Sequence, residues 1–342
     1  MNNIFKKSLI IKINNNKFYY KNKLLIIIIL FFIFFKYKNC INNKIKICLC
    51  VIAKNENLYV REFVEHYKSI GYNNIFIYDN NDINGENFSD VINDYILDGF
   101  VKIIDYRNRN PDSRPQIDSY RDCYSRNNKL YDWLSFFDMD EFLELNKKYL
   151  NIQDFLGNKI FEKCQNIKIN WFFANTNNIL YYENKPLSKR LKSFSPNIHI
   201  KSTVRGKLST NYWERLNNPH TSLLNITTCS SSGKLISYLS PFNDPPEITN
   251  AILKHYYYKS FEEFCIKQKR GKGDRQKQDN KLFVESSFKN FYLSNKNNTE
   301  KLKIVLRIFN DTLKAINISI KILFIINKRK EYYFKINCKY MI

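Results

Sequence analysis

Two aspartates one residue apart, Asp138 and Asp140, interrupt an otherwise apolar run that reads WLSFFDMDEF from Trp133 to Phe142. In an extended chain, side chains at i and i+2 share a face. The spacing therefore predicts that both carboxylates project together from the end of a buried strand. Two carboxylates side by side repel, and one must hold a proton unless a cation sits between them. A hard divalent ion meets that need and also binds a diphosphate. A solvated polar turn has the same local sequence, so the surrounding elements must decide.

Those elements alternate. Residues 44–53 (KIKICLCVIA) read as a strand that ends at Lys54-Asn55-Glu56-Asn57. Val60, Phe63, Val64 and Tyr67 then stripe a helix that Gly71 stops. Residues 74–78 form the next strand and run into Asp79. Val91, Ile92, Tyr95 and Ile96 stripe a second helix, which stops at Gly99 before a strand at 101–104. A third helix, from about Gln116 to Asn127, leads into the aspartate strand. Strand–helix alternation of this kind predicts an α/β fold, a mostly parallel sheet flanked by helices. Ligands of such sheets gather beyond the carboxyl ends of the strands. Asn55-Glu56, Asp79 and Asp138/Asp140 all fall at those ends. Neither GxGxxG nor GxxxxGK occurs, which leaves a dinucleotide fingerprint and a P-loop without support.

The formal charge of +23 points first to nucleic acid, but its distribution points elsewhere. Residues 1–47 hold 10 Lys/Arg and no Asp/Glu; residues 254–342 hold 21 against 8; residues 48–253 hold 24 of each. Basic tails suit a membrane surface or an anionic ligand at least as well as DNA, and the neutral centre counts against a nucleic-acid role. The N-terminal tail, residues 1–43, contains the apolar segment 24–35 (LLIIIILFFIFF) between lysines. With no small-residue cleavage site after it, the segment reads as an uncleaved signal anchor. That reading makes the chain a single-pass type II membrane protein, of Golgi or ER if the source is eukaryotic. Of the eight cysteines no two make a CxxC pair, and Cys48 and Cys50 alternate on an apolar strand as packing residues. Residues 267–277 read as a basic loop broken by glycines. Residues 301–327 carry apolar residues at helical spacing, so 276–342 reads as a basic, mostly helical extension.

Seven blocks in order resemble glycosyltransferase family 92 and its GT-A relatives: CVIAKNE, EFVEHYKSIGYNNIFIYDNND, YDWLSFFDMDEFLEL, IKINW, KSTVR, NPH and KHYYYKSFEEF. They span about residues 46–273, within a domain taken as 44–275. The resemblance implies a GT-A, Rossmann-like fold and transfer of a sugar from a nucleotide donor, a UDP-sugar by the family's habit, to a glycan or glycoconjugate. It implies that Asp138 and Asp140 hold Mn²⁺ or Mg²⁺ on the donor diphosphate. His255 is then the first candidate to complete the metal site and His220 the second. Asn55, Glu56 and Asp79 would meet the nucleotide, with Lys201 and Arg205 adding positive charge. An inverting transfer needs a carboxylate as base. Glu141, Glu183, Glu214 and Asp244 qualify by type; Glu141, beside the metal pair, and Asp244 are the first choices. A hexosyltransferase, and galactosyl transfer in particular, is the family expectation. The competing reading is an inactive nucleotide-sugar or glycan-binding protein on the same scaffold.

Overall fold

The computed structural model describes residues 45–109, 114–175, 179–209, 218–220, 226–237, 239–270, 307, 318–326 and 332–340. The apolar segment 24–35 lies outside them. Among the described residues no helix is long and apolar enough to cross a membrane.

The expected alternation holds through the first half. Strand β1 (Ile47–Ala53), helix α1 (Asn57–Ser69), β2 (Asn74–Asp79), α2 (Ser89–Leu97), β3 (Val101–Asp105), α3 (Pro115–Asn127) and β4 (Trp133–Phe136) follow one another. The four strands pair in parallel in the order β3-β2-β1-β4. Every residue of β1 and β4 is buried, as a strand covered on both faces requires. Gly71 ends α1 at φ +97°, a left-handed position that glycine takes without strain. On one face, Cys48, Cys50, Phe76, Tyr78, Leu134 and Phe136 pack against Tyr120, Cys123 and Tyr124 of α3. The other face carries α1, whose Tyr67 stacks edge-on against Tyr72. Tyr72 in turn shares a hydrogen bond with Ser135.

The second half reverses direction. After β5 (Glu141–Leu145), short α4 (Ile152–Leu156) and a 3₁₀ turn at Lys159–Phe161 lead to β6 (Asn166–Ala174). Short α5 (Leu187–Arg190), β7 (Phe194–Arg205), β8 (Thr228–Ser230), β9 (Ala251–His255) and α6 (Phe261–Arg270) follow. Strand β7 lies antiparallel to β4, so the sheet continues β4-β7-β6-β9-β5, with β8 also on β6. The stretch 201–205 is the end of this twelve-residue strand.

Two expectations fail here. The helix read across 301–327 is in part a strand, β10 (Ile318–Ile326), paired antiparallel with β11 (Tyr332–Tyr340). The run ISIKILFII is dominated by β-branched isoleucine, which overrides its partial helical spacing. Residues 267–270, read as the start of a basic loop, belong to α6, and the rest of that stretch lies outside the described residues. Ser260 caps α6: Glu263 N–H donates to Ser260 Oγ at 3.2 Å, and Ser260 N–H donates to Glu263 Oε2 at 3.0 Å.

Among the described residues, four cysteines are paired. Cys50 bonds Cys123, tying β1 to α3, and Cys164 bonds Cys229, tying the start of β6 to β8. Cys50 is therefore a bridge and not merely a packing residue; Cys48 remains a buried thiol.

Candidate functional site

A turn, not a strand pleat, brings the two aspartates together. Strand β4 ends at Phe136, and Glu141 N–H donates back to Asp138 O at 3.0 Å. The turn is closed from beneath, where Asp138 N–H donates to Glu141 Oε2 at 2.9 Å. Reversal is forced because the next strand, β5, pairs with β9 at the far edge of the sheet. Tyr67 of α1 fixes the exit, donating to Glu141 O at 2.8 Å and accepting from Leu143 N–H at 3.2 Å.

Asp138 is held by groups that stay put. Its Oδ1 accepts from Gln116 Nε2 at 2.6 Å and Tyr120 OH at 3.0 Å, and lies 2.8 Å from Lys201 Nζ. Gln116 and Tyr120 stand four apart on α3, one face of one helix. The disulfide from Cys123, on the next turn, holds that helix on the sheet. Lys201 and Glu141 are both fully buried, 3.8 Å apart. Burial works to raise the Asp138 carboxyl, but Lys201 outweighs it and Asp138 stays ionised below its usual range. Burial drives the Glu141 carboxyl well above its usual range despite Lys201. Glu141 is therefore a buried acid supporting the turn, with no exposed oxygen to serve as a base. That corrects its assignment as a catalytic residue.

Asp140 has different partners. Its Oδ2 meets Lys267 Nζ at 2.5 Å, and its Oδ1 lies 3.5 Å from His255 Nε2. Burial opposes its charge, but Lys267 and His255 together hold the carboxyl well below its usual range. His255 is buried and kept neutral by desolvation, and its Nδ1 has no hydrogen-bond partner. Trp171 and Phe173 of β6 pack on its ring, at 4.2 and 5.0 Å between centroids.

The loop after β1 completes this end of the sheet. Asn55, at φ +52°, donates its N–H to Asn81 Oδ1 at 2.7 Å. Glu56 is buried between Lys259 Nζ at 3.2 Å and Arg270 Nη1 at 2.5 Å. Burial raises its carboxyl, and Lys259 and Arg270 more than reverse that. Asp79 is buried too, with Arg107 bidentate on Oδ2 at 2.7 and 3.1 Å. Arg107 also donates to the carbonyls of Ile83 and Glu86, so the pair holds the loop after β2.

Several sequence-read positions land elsewhere. Arg205 pairs with Trp133 in the ladder, at the opposite end of β4 from the aspartates. Its guanidinium donates to Cys164 O at 2.6 Å and Phe161 O at 2.8 Å and lies over the Trp133 ring. Lys201, four residues earlier on an antiparallel strand, is the one that reaches the turn. Arg205 is thus a structural cation, not a donor contact. His220 packs edge-on against Trp171 and donates Nδ1–H to Ile200 O at 2.9 Å, leaving Nε2 as its lone-pair nitrogen. Asp244 is exposed, on a loop pinned by Asn170, whose Nδ2 donates to Asn243 O and whose Oδ1 accepts from Glu247 N–H. Glu183 pairs with Lys185 on the surface; Glu214 lies outside the described residues.

The sequence reading missed Gln116, Tyr120, Lys259 and Lys267. The spacing 116, 120, 123 was the available signal for the first two.

Two aspartates and a neutral imidazole form a hard-oxygen and borderline-nitrogen donor set that suits Mn²⁺ or Mg²⁺. The three bonds to Asp138 use Oδ1, which leaves Oδ2 outside that set. Among the described residues, no three His, Cys, Asp or Glu side chains converge as a ready-made metal cage. The charge of Asp140 is instead matched by Lys267.

Comparison with known proteins gives the site a context. Residues 43–211 match the model of glycosyltransferase family 92. A glycosyltransferase family 92 protein of Ricinus communis is 31% identical over 114 residues, which is 33% of this chain and 20% of that protein. A longer match to it is 25% identical over 236 residues, 66% of this chain and 37% of the relative. The chain therefore spans less than half the length of that relative. Among solved structures, a mannosyltransferase from Pyrobaculum calidifontis in complex with GDP-Man and Mn²⁺ is 8% identical, with a TM-score of 0.36 over 80% of this chain and 76% of that one. TarS of S. aureus (residues 1–349, with UDP) is 9% identical, with a TM-score of 0.36 over 79% and 81%. These are loose likenesses of arrangement alone.

Proposed function

We propose that this protein, whose residues 43–211 match the model of glycosyltransferase family 92, is a metal-dependent glycosyltransferase. It moves a sugar from a nucleoside-diphosphate donor to a hydroxyl of a glycan or glycoconjugate, with inversion. One observation carries the reading. The acids after β1 and β4 each face a cation at the same end of the sheet, Asp138 with Lys201, Asp140 with Lys267, and Glu56 with Lys259 and Arg270. Alternating acids and bases at the carboxyl ends of parallel strands suit a cation and a diphosphate together.

Asp138 through Oδ2, Asp140 and His255 would hold Mn²⁺ or Mg²⁺, with His220 the reserve ligand. When bound, the metal supplies stabilisation of the charge that grows on the departing diphosphate. The chain's own work is positional. Gln116, Tyr120 and Lys201 fix Asp138 before the donor arrives, so little reorganisation remains. Asn55 and Glu56 form the wall that the nucleotide approaches. Asp79, already committed to Arg107, acts by holding the loop after β2. With Glu141 buried, Asp244 is the remaining first-choice base.

Two buried disulfides fit folding in an oxidising compartment, which supports the lumenal type II placement with residues 24–35 as anchor. The test is a screen of nucleotide sugars for Mn²⁺-dependent hydrolysis, with and without chelator. Hydrolysis needs no acceptor. Turnover of at least one donor, abolished by chelation, is the expected result. Nucleotide-sugar binding without turnover would favour the inactive binding protein instead.

A further inference from the structure

We propose that Lys267 is an exchangeable counter-ion: it occupies Asp140 until a divalent metal arrives and then turns to the donor's diphosphate. The inference rests on the glycosyltransferase reading and adds a coupling to it.

Helix α6 is built for such a movement. Glu263, Lys267 and Arg270 stand at i, i+4 and i+7, one stripe of the helix. The first turn is anchored. Glu263 receives Arg190 Nη1 and Nη2 at 2.7 and 2.8 Å, all nearly excluded from solvent, and the Ser260 N–H. Tyr59 OH adds a further bond. The last turn is held differently, by cations laid on the two acids proposed to face the donor. Lys267 rests on Asp140, and Arg270 on Glu56 and the Lys54 carbonyl. One end of the helix is a pivot and the other a charge clamp.

The two lysines on the aspartate pair are not equivalent. Lys201 is wholly buried and also faces Glu141, so it has nowhere to go. The Lys267 side chain keeps 18% of its surface in solvent. Its ammonium lies 3.9 Å from the centre of the Tyr257 ring and 3.4 Å from Tyr257 O. A cation on an aromatic face has a second resting place within a rotamer change. A divalent ion on Asp140 repels the ammonium, and a diphosphate beside that ion attracts it. Metal without diphosphate must displace Lys267 at a cost; metal with diphosphate gives Lys267 a new partner. The structure therefore implies that metal and nucleotide bind synergistically, with Lys267 as the link.

Titration of Mn²⁺ alone, UDP alone, GDP alone and each nucleotide with Mn²⁺ tests this by calorimetry, on the full chain and on Lys267→Met. Methionine keeps most of the stem and removes the charge. Wild type is expected to bind Mn²⁺ weakly alone and about tenfold or more tighter with a nucleotide, a usual size for coupled ligands. Lys267→Met is expected to bind Mn²⁺ alone more tightly than wild type, to bind the nucleotide less well, and to lose the synergy. Lys267→Arg keeps the charge and is expected to keep the synergy, which separates the effect from damage to the helix. Unchanged or weaker Mn²⁺ binding by Lys267→Met, with synergy intact, overturns the exchange while leaving the enzyme reading in place. Failure of wild type to bind Mn²⁺ with either nucleotide overturns the metal-dependent reading and the exchange with it.

Discussion

Asp138 and Asp140 differ by one intervening residue and by almost everything around them. Asp138 is set from the sheet side: α3 supplies Gln116 and Tyr120, β7 supplies Lys201, and a disulfide holds α3 down. Asp140 is set from the other side by α6 and β9, through Lys267 and His255. The cation on Asp138 is wholly buried although that carboxylate keeps 31% of its side chain in solvent, whereas Asp140 is itself buried beneath a helix end whose lysine reaches solvent. Pre-organisation and exchange are different jobs, and the turn at 138–141 divides them between neighbouring residues.

The largest effects come from removing either carboxylate. Asp138→Ala and Asp140→Ala should each lower transfer by about a thousandfold, since each removes charge that holds the metal at the departing diphosphate. Stability should separate them. Asp138→Ala removes the closest counter-charge of the wholly buried Lys201 and leaves Glu141 at 3.8 Å, whereas Asp140→Ala frees a lysine that already touches solvent. Thermal unfolding should thus fall clearly for the first and little for the second. Equal losses of stability would show that the two surroundings are not the different kinds they look.

Lys201→Met attacks the core side alone. It removes the wholly buried cation from Asp138, whose side chain keeps 31% of its surface in solvent, so the cost should lie between the roughly 1 kcal/mol of a surface pair and the roughly 3–5 kcal/mol of a fully buried one. The variant should melt far below wild type, and any folded fraction should bind Mn²⁺ poorly. A stability loss under about 1 kcal/mol, the size of a surface pair, would be incompatible with this burial.

Next is the staple under α3. The Cys50–Cys123 bridge spans 73 residues, and replacing both cysteines by alanine should cost about 2–4 kcal/mol. Because α3 carries Gln116 and Tyr120, reduction should also weaken Mn²⁺ binding through Asp138. Chemical denaturation with and without reductant, on wild type and on the double variant, measures both.

How much of this was legible in the chain follows from the range of the interactions. The parallel half was readable because each unit buries its own stripe: Val60, Phe63, Val64 and Tyr67 are local, and all four are buried as the periodicity says. The strand-end acids were readable because turns follow apolar runs. What the sequence concealed depends on pairing across the sheet. Lys201 and Arg205 look alike in KSTVR, yet only the antiparallel register of β7 on β4 decides that Lys201 reaches Asp138 and Arg205 the other end. Glu141 qualified as a base by type and by its place beside the metal pair, but only the fold shows it buried beneath the turn. Lys267 looked like a loop charge because glycines follow it, while the capping box at Ser260–Glu263 starts a helix that includes it. The Cys50–Cys123 pair, 73 residues apart, had no local signature.

Acid titration sharpens the comparison from the histidines on the sheet side. Burial holds His220 down to about 4, and burial also lowers His66 and His199. The unfolded chain takes up these protons near pH 6.5, where the folded one refuses them. Their contribution is therefore complete above pH 6.5 and is lost as pH falls toward about 4. For His220 alone it is at most about 3 kcal/mol. Asp138, Asp140 and Glu56 have the same sign with a lower window, since their depressed carboxyls stay ionised until more acid conditions. His220→Asn should flatten the curve between pH 6.5 and 4 and leave the fall below 4 in place. Unfolding curves for both proteins across that range check it.

The smallest effect is the one that the motif alone would have ranked high. Arg205→Ala should leave Mn²⁺ and nucleotide affinity within about twofold of wild type, as for a residue that shares no partner with the site. It should cost about 1–3 kcal/mol of stability, because the Phe161 and Cys164 carbonyls lose a charged donor. Calorimetry on the folded variant gives the affinity and thermal melts the stability. A selective loss of nucleotide binding, with the fold intact, would mean that a cation at the amino-terminal end of the strand pairing reaches the donor. The register of β7 on β4 would then have to be wrong, and with it the assignment of Lys201 to Asp138.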